Sequence, residues 1–185
     1  IAANVAGGTH HATPTSGAGY TILNDLAVVA HVLTSTCDIQ RVLVIDCDVH
    51  QGDGTARFSQ AGSMLHNKLF TLSLHCASNF PHPKAQSTFD VGLADGMRDD
   101  EYMEILCKSV NHALETLDPD FVLYDAGVDV YEGDRLGRLC VSERGIRQRD
   151  RWVLDRCVTA GIPVAAVVGG GYDSDVDALA RRHAI

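Results

Sequence analysis

This chain of 185 residues is poor in several features, and each shortage excludes a class of protein. Its six cysteines stand singly and form no C-x-x-C pair, which argues against a small secreted disulfide scaffold and for reduced thiols. No apolar run is long enough to span a bilayer, and the first residues lack the basic start and apolar core of a signal peptide. We therefore predict a protein without membrane contact, located in the cytoplasm or, in a eukaryote, in the nucleus.

Positive charge is also scarce. Lys and Arg total 15 against 24 Asp and Glu, giving a formal net charge of -9, and the basic residues are scattered apart from an Arg-rich stretch at 144–151. Proteins that bind nucleic acids neutralise phosphate with clustered positive charge, so direct nucleic-acid binding is not expected. The length and the 45% hydrophobic content fit one packed domain over residues 1–185.

Short apolar runs alternate with amphipathic stretches along the chain. The runs are nearly continuous in hydrophobicity, which is typical of strands covered on both faces. These predicted strands lie at 41–45, 69–74, 121–124 and 163–168. Apolar stripes with helical spacing predict helices over 19–34, 100–117 and 143–160. This order predicts an α/β domain with a mostly parallel sheet, in which sites form beyond the carboxyl ends of the strands.

Two of these strand ends carry candidate metal ligands. Asp48 and His50 follow the first apolar run with a spacing of two, which in extended chain points both side chains to one side, and Asp129 follows the third run. Two carboxylates and one imidazole suit zinc or another first-row divalent metal, and they leave positions open for water and substrate. The structural alternative is that Asp48 caps a turn, His50 packs and Asp129 is solvated.

Further polar residues can supply acid–base chemistry. "GGTHHA" contains His10 and His11, and the first strand end contains two more carboxylates, Asp46 and Asp53. A histidine that acts as a general base commonly has a carboxylate behind it, so two such pairs can form. Tyr172 follows a glycine run and could donate its hydroxyl to a developing oxyanion. A surface histidine patch and a packed core tyrosine are the alternatives.

The four motifs together resemble a known family. "GGTHHA", "IDCDVHQGDG", "YDAGVDVYEGDRLGRL" and "GGGY", in this order, resemble the histone deacetylase superfamily of zinc-dependent amidohydrolases. "AGVD" and "NFP" look most similar to its class IV branch and to similar bacterial deacetylases. The resemblance implies an arginase/deacetylase-like three-layer α/β/α sandwich with a mostly parallel sheet of about eight strands. Because only four strand runs are found and the chain opens on Ile1, we expect an N-terminally truncated, partial catalytic domain.

The resemblance also implies roles for individual residues. The implied zinc ligands are Asp48, His50 and Asp129; the implied catalytic residues are His10, His11, Asp46, Asp53 and Tyr172; the implied walls of the acyl-lysine tunnel are Gly19, Tyr20 and Phe80. Tyr20 departs from the phenylalanine usual in the family, and Asp125 departs from an uncharged residue. A potassium ion (K⁺) is implied near the zinc, at Asp46, Asp48, His50, Ser73 and Leu74.

The implied reaction is hydrolysis of an acylated amine. Zinc (Zn²⁺) and the Tyr172 hydroxyl would hold the amide oxygen, His11 would deprotonate the attacking water, and an imidazolium would protonate the departing amine. An acylated lysine peptide or protein is the expected substrate. The alternatives are a small acylated amine such as an acetylpolyamine, a binding module that has lost catalysis, and a binuclear manganese hydrolase of the arginase type.

Overall fold

The computed structural model of the protein describes residues 1–184. Its strands are β1 (Ala2–Asn4), β2 (Val42–Asp46), β3 (Leu69–Cys76), β4 (Phe89–Leu93), β5 (Phe121–Asp125) and β6 (Val164–Val167). Its helices are α1 (Asp25–Thr36), α2 (Asp53–Ser59), α3 (Asp99–Leu117), α4 (Glu143–Thr159) and α5 (Val176–His183). None of these helices combines the length and the apolar character needed to cross a bilayer.

The six strands of the described residues form one sheet in the order β1-β6-β5-β2-β3-β4, and every neighbouring pair is parallel. β2 lies near the centre, where Asp46 is paired in register with Ser73 of β3 and with Asp125 of β5. The predicted α/β class and parallel sheet are therefore confirmed. Because all carboxyl ends lie on one edge, the polar residues that follow β2, β5 and β6 meet there.

Alternating side chains of β2 divide the core into two layers. Val42 and Val44 pack on the face covered by Leu26 of α1. Leu43 and Ile45 pack on the opposite face, in the cluster that contains residues of α3 and α4. Helices on both faces of the sheet make the three-layer α/β/α arrangement, and they explain why β2 is hydrophobic without interruption.

The structure differs from the sequence prediction at the short and peripheral elements. β1, β4, α2 and α5 were not predicted, and the sheet has six strands among the described residues where the resemblance implied about eight. The helix predicted over 19–34 begins only at Asp25, because the Asn24 side chain accepts a hydrogen bond from the Ala27 amide and caps it. Residues 19–24 are thereby left as a loop beside the strand ends.

Candidate active site

The chain turns sharply where β2 leaves the sheet. Asp46 Oδ1 accepts a hydrogen bond from the Asp48 amide (3.1 Å), and Asp48 Oδ1 accepts one from the His50 amide (2.8 Å). Each carboxylate thus caps the amide two residues ahead, which bends the backbone over residues 48–50. The extended exit assumed for this stretch was wrong, yet Asp48 and His50 still converge.

The three predicted metal ligands are brought together. His50 Nδ1 lies 3.0 Å from Asp48 Oδ1 and 3.0 Å from Asp129 Oδ2, and one donor atom from each residue lies within 4.8 Å of the others. All three side chains are buried. Burial and the Asp48 charge raise the pKa of Asp129 to about 7, although its contact with His50 opposes this. Burial would lower the pKa of His50, but the hydrogen bonds to Asp129 and Asp48 raise it to about 10, so a cation is favoured between these carboxylates.

Two glycines lie close to the Asp48 carboxylate. A Cβ atom at Gly127 would lie 2.4 Å from Asp48 Oδ2, so only glycine permits this approach. Gly170, the second glycine of "GGGY", donates its amide to the same oxygen over 2.8 Å. The sequence analysis had connected this glycine run with Tyr172, the residue that follows it. The contact of the Gly170 amide with a predicted metal ligand was missed.

Each of the tandem histidines has its own carboxylate. His10 Nδ1 lies 2.8 Å from Asp46 Oδ2, and His11 Nδ1 lies 2.7 Å from Asp53 Oδ1. The two rings are 4.2 Å apart between centroids. Both predicted His–Asp pairs are therefore present in the geometry.

The pKa values of the two histidines move in opposite directions. Burial would lower the pKa of His10, but the charges of Asp46 and Asp48 outweigh it and hold that pKa well above its usual range. Burial lowers the pKa of His11, and the neighbouring His10 lowers it further against the raising effect of the hydrogen bond to Asp53. The pocket therefore contains one histidine that retains a proton and one that is neutral.

Asp125 is the carboxyl group that the family resemblance does not account for. It is fully buried at the end of β5, with Oδ2 at 3.7 Å from His10 Nδ1. Within residues 1–184, neither of its carboxyl oxygens has a hydrogen-bond partner. Burial and the charge of Asp46 raise its pKa well above the usual range, which favours the neutral acid.

Tyr172 lies across the cavity from the histidines. Its amide donates to Asp134 Oδ2 over 2.7 Å, while Asp134 Oδ1 accepts from the amides of Leu136 and Gly137. Asp134 therefore ties the loop that carries Tyr172 to the loop after β5. Burial and then the charges of the nearby carboxylates raise the pKa of Tyr172, so its hydroxyl keeps its proton.

The predicted tunnel residues line one cavity of about 470 Å³. Its walls are His11, Gly19, Tyr20, His50, Asn79, Phe80, Leu136 and Tyr172. Gly19 has a φ of +53°, and a Cβ atom there would lie 2.1 Å from His11 Cδ2, so this glycine is required for the approach to the ring. Phe80 stands at 5.0 Å from His11 between ring centroids, whereas the side chain of Tyr20 is 89% exposed at the mouth.

Two wall residues were missed by sequence reasoning. Asn79 Nδ2 donates to the Leu136 carbonyl over 2.7 Å, and Asn79 Oδ1 accepts from the Arg138 amide. This side chain thus holds the segment that places Leu136 in the wall. "SNFP" gave no signal for such a role, since asparagine is common in turns. For the implied potassium site, Asp46 and Ser73 face each other in the β2–β3 register, and its occupancy stays a prediction.

Comparison with known proteins connects this site with one family. The sequence model described as histone deacetylase domain matches residues 1–185, and the chain therefore belongs to the histone deacetylase family. An uncharacterized protein of Picosynechococcus is 46% identical over 185 residues, which are 100% of this chain and 60% of that protein. The finer assignment to class IV stays a prediction.

More distant relatives have names that specify the activity of those proteins. Histone deacetylase 2 of Arabidopsis thaliana is 32% identical over 92% of this chain and 44% of its own length. Histone deacetylase clr6 of Schizosaccharomyces pombe is 33% identical over 93% of this chain and 43% of its own. The chain thus spans between 43% and 60% of these curated relatives.

A solved structure confirms the fold. The crystal structure of an HDAC homologue complexed with SAHA superimposes with a TM-score of 0.79 and 28% sequence identity, covering 93% of this chain and 47% of that one. The three-layer α/β architecture with its parallel sheet is therefore the deacetylase-like one that the motifs had indicated.

Proposed function

We propose that the protein hydrolyses the acyl amide of acylated lysine side chains with the help of one zinc ion. The observation that carries this proposal is the placement of three buried metal-ligand atoms beside a His–Asp pair at the inner end of a cavity. Membership of the histone deacetylase family supports amide hydrolysis as the reaction. The residues of the site supply each function that such a reaction needs.

The donor set fits zinc. Asp48 and Asp129 each offer a carboxylate oxygen and His50 offers Nδ1, a combination of oxygen and nitrogen that zinc accepts in catalytic sites. The two carboxylates are fully desolvated beside one imidazole, so a cation between them relieves their repulsion. When bound, zinc supplies Lewis acidity for the amide carbonyl and for a nearby water.

His11 is the proposed general base. Its Nδ1 donates to Asp53, which leaves Nε2 as the proton acceptor on a ring that lines the cavity. The lowered pKa keeps this ring neutral at pH 7, as a base must be. After it has taken a proton from water, the same ring can return it to the departing amine. His10 retains its proton one layer deeper and stabilises negative charge that develops in the reaction.

Tyr172 is the proposed oxyanion donor. Its phenol lines the same cavity as His11 and His50, and it remains protonated because its pKa is raised. A neutral hydroxyl aimed at a forming oxyanion stabilises the transition state more than the ground state. The contact of its amide with Asp134 fixes the backbone that carries it.

The mouth of the cavity favours acyl-lysine over acetylpolyamines. Among the described residues, the exposed residues of the cavity wall are Tyr20, Phe80 and Leu136, and the wall carries no carboxylate. The nearby Asp134 uses both oxygens for backbone amides. A polyamine has further ammonium groups that need acidic partners, whereas a lysine in a peptide leaves only its neutral amide and alkyl stem in the cavity.

Two other functions fit less well. A binding module without catalysis is disfavoured because both His–Asp pairs, the three metal ligands and Tyr172 share one site. A binuclear manganese site needs carboxylates that bridge two ions. Within residues 1–184, the two groups able to hold a metal, His10-Asp46-Asp125 and Asp48-His50-Asp129, have no residue in common.

The proposal is tested with the protein expressed from its complete reading frame and loaded with zinc. We expect about one zinc per chain and hydrolysis of acyl-lysine peptides at a higher kcat/KM than that of acetylpolyamines. An Asp48→Asn variant serves as the metal-deficient control. Stoichiometric zinc without hydrolysis of either substrate class would refute the reaction, and a preference for acetylpolyamines would refute the substrate.

A further inference from the structure

A buried arginine lies next to the site. Its side chain makes no hydrogen bond to the side chains of the proposed metal ligands. Arg149 lies in the middle of α4 and is 0% exposed. Its NH1 donates to the carbonyls of Gly127 (2.7 Å) and Cys47 (3.1 Å), and its NH2 donates to the carbonyl of Ala126 (3.1 Å). A charged group without solvent needs such partners, because the loss of its hydration is strongly unfavourable.

The three carbonyls belong to the two segments that bear the metal ligands. Cys47 lies between Asp46 and Asp48 after β2, while Ala126 and Gly127 lie between β5 and Asp129. The strands are paired as far as Asp46 and Asp125, and the Cys47 amide donates to the Asp125 carbonyl as the last bond between them. Beyond this point the guanidinium bridges the two segments, beside one direct hydrogen bond in which the Val49 amide donates to Asp129 Oδ1 over 2.7 Å.

The orientation of the guanidinium is itself fixed. Arg149 Nε donates to Asp150 Oδ1 over 2.7 Å, and the Tyr124 hydroxyl of β5 donates to the same carboxylate oxygen. Asp150 therefore neutralises the arginine and anchors its plane to a strand of the sheet. A planar fork held at Nε can direct NH1 and NH2 to carbonyls on two chain segments at once, which a lysine ammonium cannot do in the same geometry.

We infer that Arg149 is a positioning residue that sets the distance between Asp48 and Asp129 by holding the backbone of both segments. This inference rests on the proposed metal site. It assigns to α4, which supplies no group to the cavity, the task of fixing the spacing of two ligands from opposite segments. Outer contacts of this kind typically change metal affinity by about 10- to 100-fold when they are removed.

The test measures zinc affinity by competition with a chromophoric chelator, together with thermal unfolding of the metal-free protein. We expect Arg149→Lys to weaken zinc binding about 10- to 100-fold. The matched control is Val153→Ala, which removes buried apolar volume one turn later on the same helix. It is expected to lower the unfolding temperature while zinc affinity stays within about twofold, a change below 0.5 kcal/mol.

A second variant keeps the inference testable if Arg149→Lys does not fold. Asp150→Asn retains the guanidinium but weakens the hydrogen bond that orients it, so zinc affinity is expected to fall by less than in Arg149→Lys. Unchanged zinc affinity in the folded variants, or an equal loss in Val153→Ala, would overturn the positioning role. If the wild type binds zinc but hydrolyses no amide, the proposed reaction fails while the positioning role still stands on the affinities.

Discussion

The two tandem histidines are neighbours in the chain but lie in different environments. His10 and His11 are adjacent, each bonds a carboxylate through Nδ1, and the two distances differ by a tenth of an ångström (2.8 and 2.7 Å). Yet the pKa of His10 is raised well above its usual range, whereas that of His11 is lowered. The paired aspartate alone therefore does not decide which histidine carries a proton.

The difference arises from what lies beyond each pair. His10 Nε2 is 3.8 Å from Asp48, and Asp125 lies on its other side, so several carboxyl groups surround this ring. His11 faces the cavity, next to Phe80 and the protonated His10. A proton is thus stabilised on the inner ring and disfavoured on the outer one, as the proposed roles of His10 in charge stabilisation and of His11 as general base require.

The largest expected difference is in kcat, between a variant without His11 and a variant without His10. We expect His11→Asn to reduce kcat by about 10²- to 10⁴-fold, the usual contribution of a general acid–base group. His10→Asn should reduce kcat by only about tenfold, equivalent to roughly 1.4 kcal/mol, since it removes a nearby charge and not the base. Steady-state kinetics on zinc-loaded enzyme, with metal content measured in each variant, decides this. Equal losses in both variants would mean that the roles are not divided.

The second-largest loss of kcat is expected when the Tyr172 hydroxyl is removed. Tyr172→Phe is expected to reduce kcat by about 10²- to 10³-fold, as for other single oxyanion donors. Zinc should remain bound at full stoichiometry, because Tyr172 is not among the ligands. Normal turnover in this variant would remove Tyr172 from the mechanism and leave the two histidines as the acid–base groups.

The pH dependence of kcat/KM tests the opposite pKa shifts directly. A base acts only when neutral, so activity is lost as the pH falls through the pKa of His11. Because that pKa is lowered, we expect the acidic limb of the profile below pH 6.5, the ordinary value for histidine. In His10→Asn the neighbouring positive charge is gone, so the limb should move towards higher pH. An acidic limb at the same pH in His10→Asn and in the wild type would contradict the effect of the His10 charge on the pKa of His11.

The smallest effect concerns stability rather than rate. The pKa of Asp125 is raised in the fold, so the stability due to its proton is present below about pH 4, its unfolded pKa, and decreases as the pH rises. We expect Asp125→Asn to raise the unfolding temperature by a few degrees at pH 7 and by less near pH 4. Calorimetry at both pH values measures this difference.

Asp120→Asn is the control for this prediction. Hydrogen bonds from the Arg41 and Gln40 amides lower the pKa of Asp120, so its charge stabilises the fold at neutral pH. This variant should therefore lower the unfolding temperature at pH 7. The same sign in both variants would show that the buried acid at 125 is not neutral.

Periodicity predicted those parts of the fold that are covered on both faces. β2, β3, β5 and β6 agree with the apolar runs to within a few residues, because a buried parallel strand needs apolar side chains on both sides. β4 escaped detection because it is an edge strand that contains Asp90 and Gly92 and is buried only at Leu93. β1, with three exposed residues, offers no pattern at all.

The sequence motifs predicted the residues that line the site better than the residues that hold them in place. Asp48, His50 and Asp129 converge, since their types and order indicate ligands at adjacent strand ends. Arg149 could not be found in this way, because its partners beside the site are backbone carbonyls, which leave no trace in residue types. Gly127 belongs to the same group: the need for it comes from the approach of a carboxylate, which only coordinates reveal.

The successive turns at Asp46 and Asp48 make the number of residues in this segment as important as their identity. Each carboxylate reaches the amide two positions ahead, so the count between Asp46 and His50 determines where the ligands point. Cys47 and Val49 are buried spacers and should tolerate apolar exchanges of similar volume. A one-residue insertion or deletion there should abolish zinc binding even if the sheet still folds, which makes the segment open to redesign in composition but not in length.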